Sequence, residues 1–159
     1  MSAVQTDTYY LLGILLRFLA RSPETGDTFS LVEATVAPGA GPPLNRHPDD
    51  DESFYVLEGT FEFILEGSAR LVSTGSFVKV PRGAVHAFTN VSDAPARMLI
   101  INVPGKVHDT FFSEAGRPMP PGTRELPPPD GEAPDIPRLI EIGQRAGIEF
   151  VLPKEAAAE

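Results

Sequence analysis

Two stretches of this sequence decide its fold: GAGPPLNRHPDDDESFYVLEG at residues 39–59 and GSFVKVPRGAVHAFTN at residues 75–90. Each combines glycines that permit tight turns, an apolar run typical of a β-strand, and a histidine. The first places Glu52 five residues after His47, and the second carries His86. Because imidazole nitrogens and carboxylate oxygens bind transition metals, the pairing predicts a metal site with open coordination positions.

The composition of the whole chain limits the classes of fold and partner. A length of 159 residues suggests one domain with a sizeable core, and 17 prolines with 14 glycines favour a turn-rich β architecture. The formal net charge of −9 repels phosphate backbones, which argues against nucleic-acid binding. With no cysteine, the chain has no disulfides and no thiolate ligands, which fits a cytoplasmic protein.

Short apolar or alternating segments follow one another up to residue 104 without a helical period. They are separated by turn-forming Gly, Pro, Ser and Asp residues, which is the pattern of an all-β sandwich or closed barrel. The predicted strands are residues 29–37, 54–57, 60–65, 69–72, 77–80, 85–89 and 97–103.

An apolar segment at residues 9–20 precedes these strands. We predict one bent strand here, with apolar side chains on both of its faces. Burial of both faces has two explanations, packing against a second chain in a homodimer or coverage by the chain's own loops. The segment is not preceded by the basic residues of a signal peptide and is too short to span a bilayer, so no membrane association is expected.

The composition shifts after residue 104. Helical patterns are predicted at residues 108–115 and 136–146, and the intervening residues 117–134 contain seven prolines and form an irregular connector. We therefore expect residues 1–104 to form a barrel core with its N-terminal strand. Residues 105–159 are expected to be an extension that packs on the same domain.

Four polar side chains are candidates for one site. Asn45 and His47 are two residues apart, so on a strand they point to the same face. Glu52 begins the next strand after the acidic turn at residues 49–51, whose charges we expect to face water. His86 lies on a separate strand, and if that strand faces the same interior, all four side chains converge.

The two stretches resemble the two motifs of the cupin family, and the resemblance covers about residues 29–103. In the first motif, Asn45 stands where the family has its first histidine. The other first-motif places are occupied by Gly39, His47, Glu52 and Gly59, and the second-motif places by Gly75, Pro81, Gly83, His86 and Asn90.

This resemblance implies an all-β jelly-roll barrel with a ligand cavity at one mouth, followed here by a short helical and proline-rich C-terminal extension. It also implies a divalent transition-metal cofactor (Fe, Mn, Ni, Zn or Cu) held by His47, Glu52, His86 and the residue at position 45. An amide oxygen is a poorer ligand than imidazole for late transition metals. Asn45 is therefore a weak fourth ligand, a residue that orients the ligands, or a sign that the site no longer holds metal.

Other aromatic and histidine side chains carry separate predictions. By strand alternation Phe54 shares a face with Glu52, and Phe88 shares one with His86. Both phenylalanines are therefore expected to line the cavity and to contact the substrate. His108 lies outside both motifs and is expected at the surface.

The resemblance implies functions of two different classes. One is a metal-dependent small-molecule oxygenase similar to quercetin dioxygenase, acting on an aromatic, hydroxylated substrate with Glu52 as ligand and catalytic base. The other is a metal-free small-molecule-binding or isomerase-type cupin, in which Asn45, His47 and His86 bond oxygen atoms of the ligand. A DNA-binding regulator has no support, because no helix-turn-helix pattern or basic patch is apparent.

Overall fold

The computed structural model describes residues 6–129, 131 and 133–151, and in that part of the chain it contains twelve strands and two α-helices. Most predicted strands agree with the observed ones to within a few residues at their ends. The strands are β1 (Thr8–Leu11), β2 (Ile14–Ala20), β3 (Ser30–Val36), β4 (Asn45–Arg46), β5 (Asp51–Glu58), β6 (Thr60–Leu65), β7 (Ser68–Ser73), β8 (Phe77–Val80), β9 (His86–Asn90), β10 (Ala96–Val103), β11 (Arg117–Pro118) and β12 (Glu149–Phe150), and the helices are α1 (Lys106–Ala115) and α2 (Ile136–Ala146).

The strands form two antiparallel sheets that share one core. The first sheet has the strand order β11-β1-β2-β3-β10-β5-β8, and the second has the order β12-β4-β9-β6-β7. From β5 to β10 the chain passes repeatedly from one sheet to the other, which is the connectivity of a jelly roll. The predicted all-β jelly-roll class is confirmed.

Alternating side chains fill the space between the two sheets. On β5, Glu52, Phe54 and Val56 are buried, whereas Tyr55 between them is exposed to solvent. Phe54 and Phe61, from opposite sheets, are among the largest fully buried side chains. The same alternation that packs the core therefore also directs the carboxylate of Glu52 into the interior.

The N-terminal apolar segment is a hairpin of two strands, which corrects the prediction of a single bent strand. Its turn residues, Leu12 and Gly13, both have positive φ, 55° and 78°, as a two-residue turn that matches the twist of paired strands requires. Ile14 packs in the barrel core, whereas Leu11 and Leu12 pack against the C-terminal helices. The barrel core and the C-terminal helices of the same chain therefore cover these hairpin side chains. The homodimer stays a prediction.

The C-terminal extension packs against this hairpin. Helices α1 and α2 contact each other, and together with β12 they form a second buried apolar cluster that includes Leu11 and Leu12. Its buried members are Phe111, Ala115, Leu139, Ile142 and Ile148. The domain division predicted after residue 104 falls between β10 and α1 and remains a prediction. Neither helix in the described part of the chain is long and apolar enough to cross a membrane.

Gly105 joins the last barrel strand to α1 and sets the direction of the helix. Its φ is +98°, and a Cβ atom added to it would lie 2.4 Å from the backbone nitrogen of Ser30. Its own nitrogen donates a hydrogen bond to Oδ1 of Asp50 at 3.3 Å. Because glycine alone meets these constraints without strain, α1 can begin directly beside β3.

We expect Gly105→Ala to lower the free energy of unfolding by about 2–4 kcal/mol, because it combines left-handed backbone strain with a steric clash. Gly67→Ala is the matched control: Gly67 also has positive φ, +81°, but no atom lies within 4 Å of the added Cβ. The control should lose only about 1 kcal/mol. Urea unfolding of both variants checks the prediction, and equal losses would show that the clash at Gly105 is unimportant.

Candidate metal centre

Strand pairing brings the four predicted site residues together. Asn45 on β4 pairs with His86 on β9, and His47 follows β4 by one residue. Glu52 lies near the start of β5, in the facing sheet. All four side chains are buried.

Glu52 is the centre of the hydrogen-bond network at this site. Its Oε1 atom lies 2.7 Å from Nε2 of His86, and its Oε2 atom lies 2.9 Å from Nε2 of His108. Oε2 also accepts a hydrogen bond from Nδ2 of Asn102 at 3.1 Å. Donors from β9, α1 and β10 therefore hold one carboxylate.

The contacts of His86 indicate that both of its ring nitrogens carry a proton. Nδ1 lies 2.8 Å from the carbonyl oxygen of Ala84, and Nε2 contacts the carboxylate, so both neighbours are acceptors. Burial by itself lowers the pKa of His86, but the hydrogen bond and charge of Glu52, with the hydrogen bond to Ala84, raise it overall. His86 and Glu52 therefore form a buried ion pair.

The carboxyl group of Glu52 is held in its ionised form. Burial by itself raises its pKa, whereas the charges of His47 and His108 lower it. Hydrogen bonds from His108 and His86 act in the same direction, so the pKa of Glu52 lies well below its usual range.

Asn45 holds His47 in place. The Nδ2 atom of Asn45 donates to the carbonyl oxygens of Pro43 at 2.9 Å and His86 at 3.3 Å. Its Oδ1 atom is thus the acceptor that faces Nε2 of His47 at 2.9 Å. In this arrangement Asn45 orients His47, and its role as a weak fourth ligand stays a prediction.

The acidic turn at residues 49–51 departs from the prediction that its charges face water. Asp49 is exposed, but Asp50 is only 1% exposed. Oδ2 of Asp50 accepts a hydrogen bond from Nδ2 of Asn102 at 2.9 Å, and the same Nδ2 atom donates to Glu52. One amide therefore holds two buried carboxyl groups side by side, which is costly unless positive charge offsets them.

His108 is buried, which corrects the prediction that it lies at the surface. Two residues separate its helix from β10, and Phe111 and Phe112 follow His108 at spacings of three and four. These three side chains therefore share one helix face, and all three line the cavity above the cluster. His108 lies beyond both motifs in the sequence, so they could not identify it. The signal that could have located it is the apolar helix face that it shares with Phe111 and Phe112.

The donor atoms have the spacing that a metal ion requires. One donor atom each from His47, Glu52 and His108 lie within 4.8 Å of one another, so this buried group could hold a metal. Ligands about 2.1 Å from a divalent transition metal lie roughly 3.0–4.2 Å apart, so only small side-chain movements are needed. His86 adjoins the group through the opposite oxygen of Glu52. A cation here would also offset the buried carboxylates.

A narrow cavity with apolar walls leads to this cluster. Its volume is about 60 Å³, enough for a metal ion and a few waters. Phe88 lines the cavity, whereas Phe54 packs against Phe88 in the core, with ring centroids 5.7 Å apart, and is not among the lining residues. Substrate contact by either phenylalanine stays a prediction. Other apolar walls are formed by Leu11, Leu12, Ile14, Phe111, Phe112 and Phe150.

Comparison with known proteins gives the family. A family profile described as a cupin domain matches residues 32–102, from β3 to the end of β10. The chain belongs to the cupin superfamily. Both histidines of the predicted motifs lie inside the matched segment of this cupin, whereas His108 lies outside it.

Relatives of this cupin include enzymes of several kinds. It is 30% identical over 118 residues to quercetin 2,3-dioxygenase of Aspergillus japonicus, a match that covers 69% of this chain and 32% of the dioxygenase. The polyketide cyclase RemF from Streptomyces resistomycificus superposes with a TM-score of 0.53 at 26% identity, covering 64% of this cupin and 70% of that chain. KdgF from Halomonas sp. shares the fold, with a TM-score of 0.55 at 22% identity, and the match covers 65% of this cupin and 94% of that chain. This cupin thus spans about a third of the length of the dioxygenase.

Proposed function

We propose that this cupin is a metal-dependent enzyme that acts on a small, aromatic, hydroxylated substrate, as an oxygenase of the quercetin dioxygenase type. The observation that carries the proposal is the buried cluster of His47, Glu52, His86 and His108 beside an apolar cavity. Such a site suits a ligand whose polar group meets the cluster while its apolar body packs along the walls. The similarity to the Aspergillus dioxygenase over 118 residues supports the reaction type.

The imidazole nitrogens and the carboxylate of the cluster would hold the metal. Bound there, a divalent transition metal would supply Lewis acidity towards an oxygen atom of the substrate and the redox chemistry of an oxygenase. The apolar walls would exclude water and so strengthen every electrostatic interaction inside the cavity. Phe88 would pack against the aromatic ring of the substrate.

Glu52 is the proposed general base. Its lowered pKa keeps Glu52 ionised at neutral pH, the form that accepts a proton, and also makes it a weaker base than an ordinary glutamate. Hydrogen bonds from His86 to Oε1 and from Asn102 to Oε2 fix the orientation of the carboxylate. A substrate hydroxyl group at the end of the cavity would pass its proton to one of these two oxygens.

Entry of an aromatic substrate requires the cavity to widen. Phe111 is 4% exposed and packs against Phe150, whereas Phe112 is only partly buried. The ring of Phe112 lies 4.9 Å from that of His108, measured between centroids. Rotation of Phe112 is therefore the least costly way to open space beside the cluster.

A metal-free small-molecule-binding or isomerase-type function is the second candidate. Asn45 favours it, because an amide stands where the cupin motif has a histidine. The structural similarity to a polyketide cyclase at 26% identity gives this candidate a related example. In this case Asn45, His47 and His86 would bond the oxygen atoms of the ligand.

One experiment separates the two candidates. Protein purified without chelator is assayed for Fe, Mn, Ni, Cu and Zn, and oxygen uptake is then followed with a panel of hydroxylated aromatic compounds. The oxygenase predicts about one metal ion per chain, present or restorable, and metal-dependent oxygen uptake. Protein that neither contains nor takes up metal refutes the oxygenase. Substrate conversion without oxygen consumption would instead support an isomerase-type reaction.

A further inference from the structure

We infer that His108 is a metal ligand and that it replaces the histidine absent at position 45. The metal centre would then be shared between the barrel and helix α1, instead of being built by the two cupin motifs alone. This inference rests on the metal binding proposed above, but not on the reaction or the substrate.

The position of His108 carries the first part of the argument. Its Nε2 atom lies 2.9 Å from Oε2 of Glu52, close to the separation of two neighbouring ligands on one metal ion. His108 also belongs to the group whose donor atoms lie within 4.8 Å of one another, together with His47 and Glu52. The rings of His47 and His108 are 5.2 Å apart between centroids. These contacts place a third imidazole beside the same carboxylate that both motifs approach.

The contacts of Asn45 carry the second part. Both of its polar atoms are already engaged, Nδ2 with two backbone carbonyl oxygens and Oδ1 with Nε2 of His47. To serve as a ligand, Oδ1 would have to give up its bond to His47, and an amide oxygen would gain little from that exchange. Position 45 therefore orients a ligand, and the place of the missing imidazole is open to another residue.

An unpaired ring nitrogen carries the third part. Within the part of the chain that the structure describes, Nδ1 of His47 has no hydrogen-bond partner, while Nε2 of the same ring is held by Asn45. His47 is only 3% exposed, and a buried polar atom without a partner is destabilising. Such an atom is expected where a bound cation completes the site. His108 would reach the same cation through Nε2, the atom that faces Glu52.

A purely structural role for His108 makes a different prediction. If His108 only donates a hydrogen bond to Glu52, then glutamine, which keeps an N–H donor but has no imidazole nitrogen, should replace it without loss of metal. If His108 is a ligand, His108→Gln should weaken metal binding by roughly 10–100-fold or more. In that case, a histidine returned to position 45 should restore part of the affinity.

The test uses Co²⁺ as the probe, on the full chain. Affinity is measured by isothermal titration, and the number of imidazole ligands is measured by X-ray absorption. The variants are His108→Gln, the double variant Asn45→His with His108→Gln, and the control Lys106→Gln. Lys106 is an exposed residue in the first turn of the same helix. We expect His108→Gln to lose affinity and one imidazole, the double variant to recover both in part, and the control to match the wild type.

The outcomes separate this inference from the proposed function. Wild-type affinity and an unchanged imidazole count in His108→Gln would overturn the inference and leave a motif-only metal centre with its proposed function intact. Loss of one imidazole in His108→Gln, together with no oxygen uptake by the wild-type protein, would support the inference and count against the oxygenase. If the wild-type chain binds no Co²⁺ at all, both fail together. Because the imidazole count is read from bound metal, a general loss of folding in one variant would not imitate a lost ligand.

Discussion

Glu52→Gln is expected to reduce metal affinity by at least about 100-fold, the largest effect of any single substitution at this site. The substitution removes the negative charge that faces three imidazole rings. It also replaces one acceptor oxygen with an amide N–H₂ group, which would point at the N–H donors of His86 or His108. The remaining imidazoles would compensate only in part, because the substitution removes both a ligand atom and the negative charge nearest to the cation.

Titration of the purified variant with Co²⁺ measures this effect. The matched control is Glu141→Gln, which makes the same chemical change at an exposed position on α2. The control should bind Co²⁺ as the wild type does. If Glu52→Gln kept an affinity within about tenfold of the wild type, the carboxylate could not be a ligand, and both the metal centre and the general-base role of Glu52 would have to be abandoned.

The second large effect is a fall in metal affinity as the pH is lowered. The pKa of His86 is raised by Glu52, so this imidazole keeps its proton to a higher pH than an ordinary histidine. A metal ion that binds there must displace the proton, which makes the affinity change by about tenfold per pH unit for each proton released. Co²⁺ titrations between pH 5.5 and about 8 should therefore show binding that strengthens steadily with pH. A flat profile would mean that no protonated imidazole takes part.

The metal-free protein should show the opposite trend in stability over the same range. The folded pKa of His86 is raised, so its contribution is complete below the unfolded value of about 6.5 and is lost as the pH rises through the folded pKa. The folded pKa of Glu52 is lowered, so its contribution is present above about pH 4.3 and is lost as the pH falls through the folded value. Both contributions are complete between these limits. Urea unfolding with chelator should thus find this pair most stabilising near pH 5–6, whereas added metal moves the optimum upwards.

The barrel strands could be predicted because each one is indicated by residues within a short stretch of the sequence. Strand alternation was enough to place Glu52 and Phe54 on one face of β5, and turn-forming residues marked both ends of β6. Helix α2 has the bounds that its periodicity indicated, with Asp135 as N-cap accepting from the backbone nitrogen of Arg138. In each case a short window of sequence contains the whole physical reason. The expectation that residues 60–65 pair with residues 54–57 in a hairpin is wrong, because the chain crosses to the other sheet after Gly59 and β6 pairs with β7.

The remaining parts of the site depend on contacts between distant segments. His108 lies 56 positions beyond Glu52 in the sequence, and only the direction that Gly105 gives to α1 brings the two together. Asp50 appeared to belong to a solvated acidic turn, yet Asn102 and the nitrogen of Gly105 hold it inside. Neither partner can be identified from the residues around Asp50, because charge patterning does not show which backbone donors a fold will supply.

The short link between β10 and α1 has a consequence for engineering. Pro104 and Gly105 are the only residues between the last barrel strand and the helix that carries His108 and two phenylalanines of the cavity wall. A chimaera that exchanges only the segment shared with other cupins would keep both sheets but would receive a foreign helix over the cavity. The transplantable unit in this chain therefore runs from β1 to β12, because β12 supplies Phe150 to the cavity wall. A graft of the barrel alone would keep the fold but lose His108.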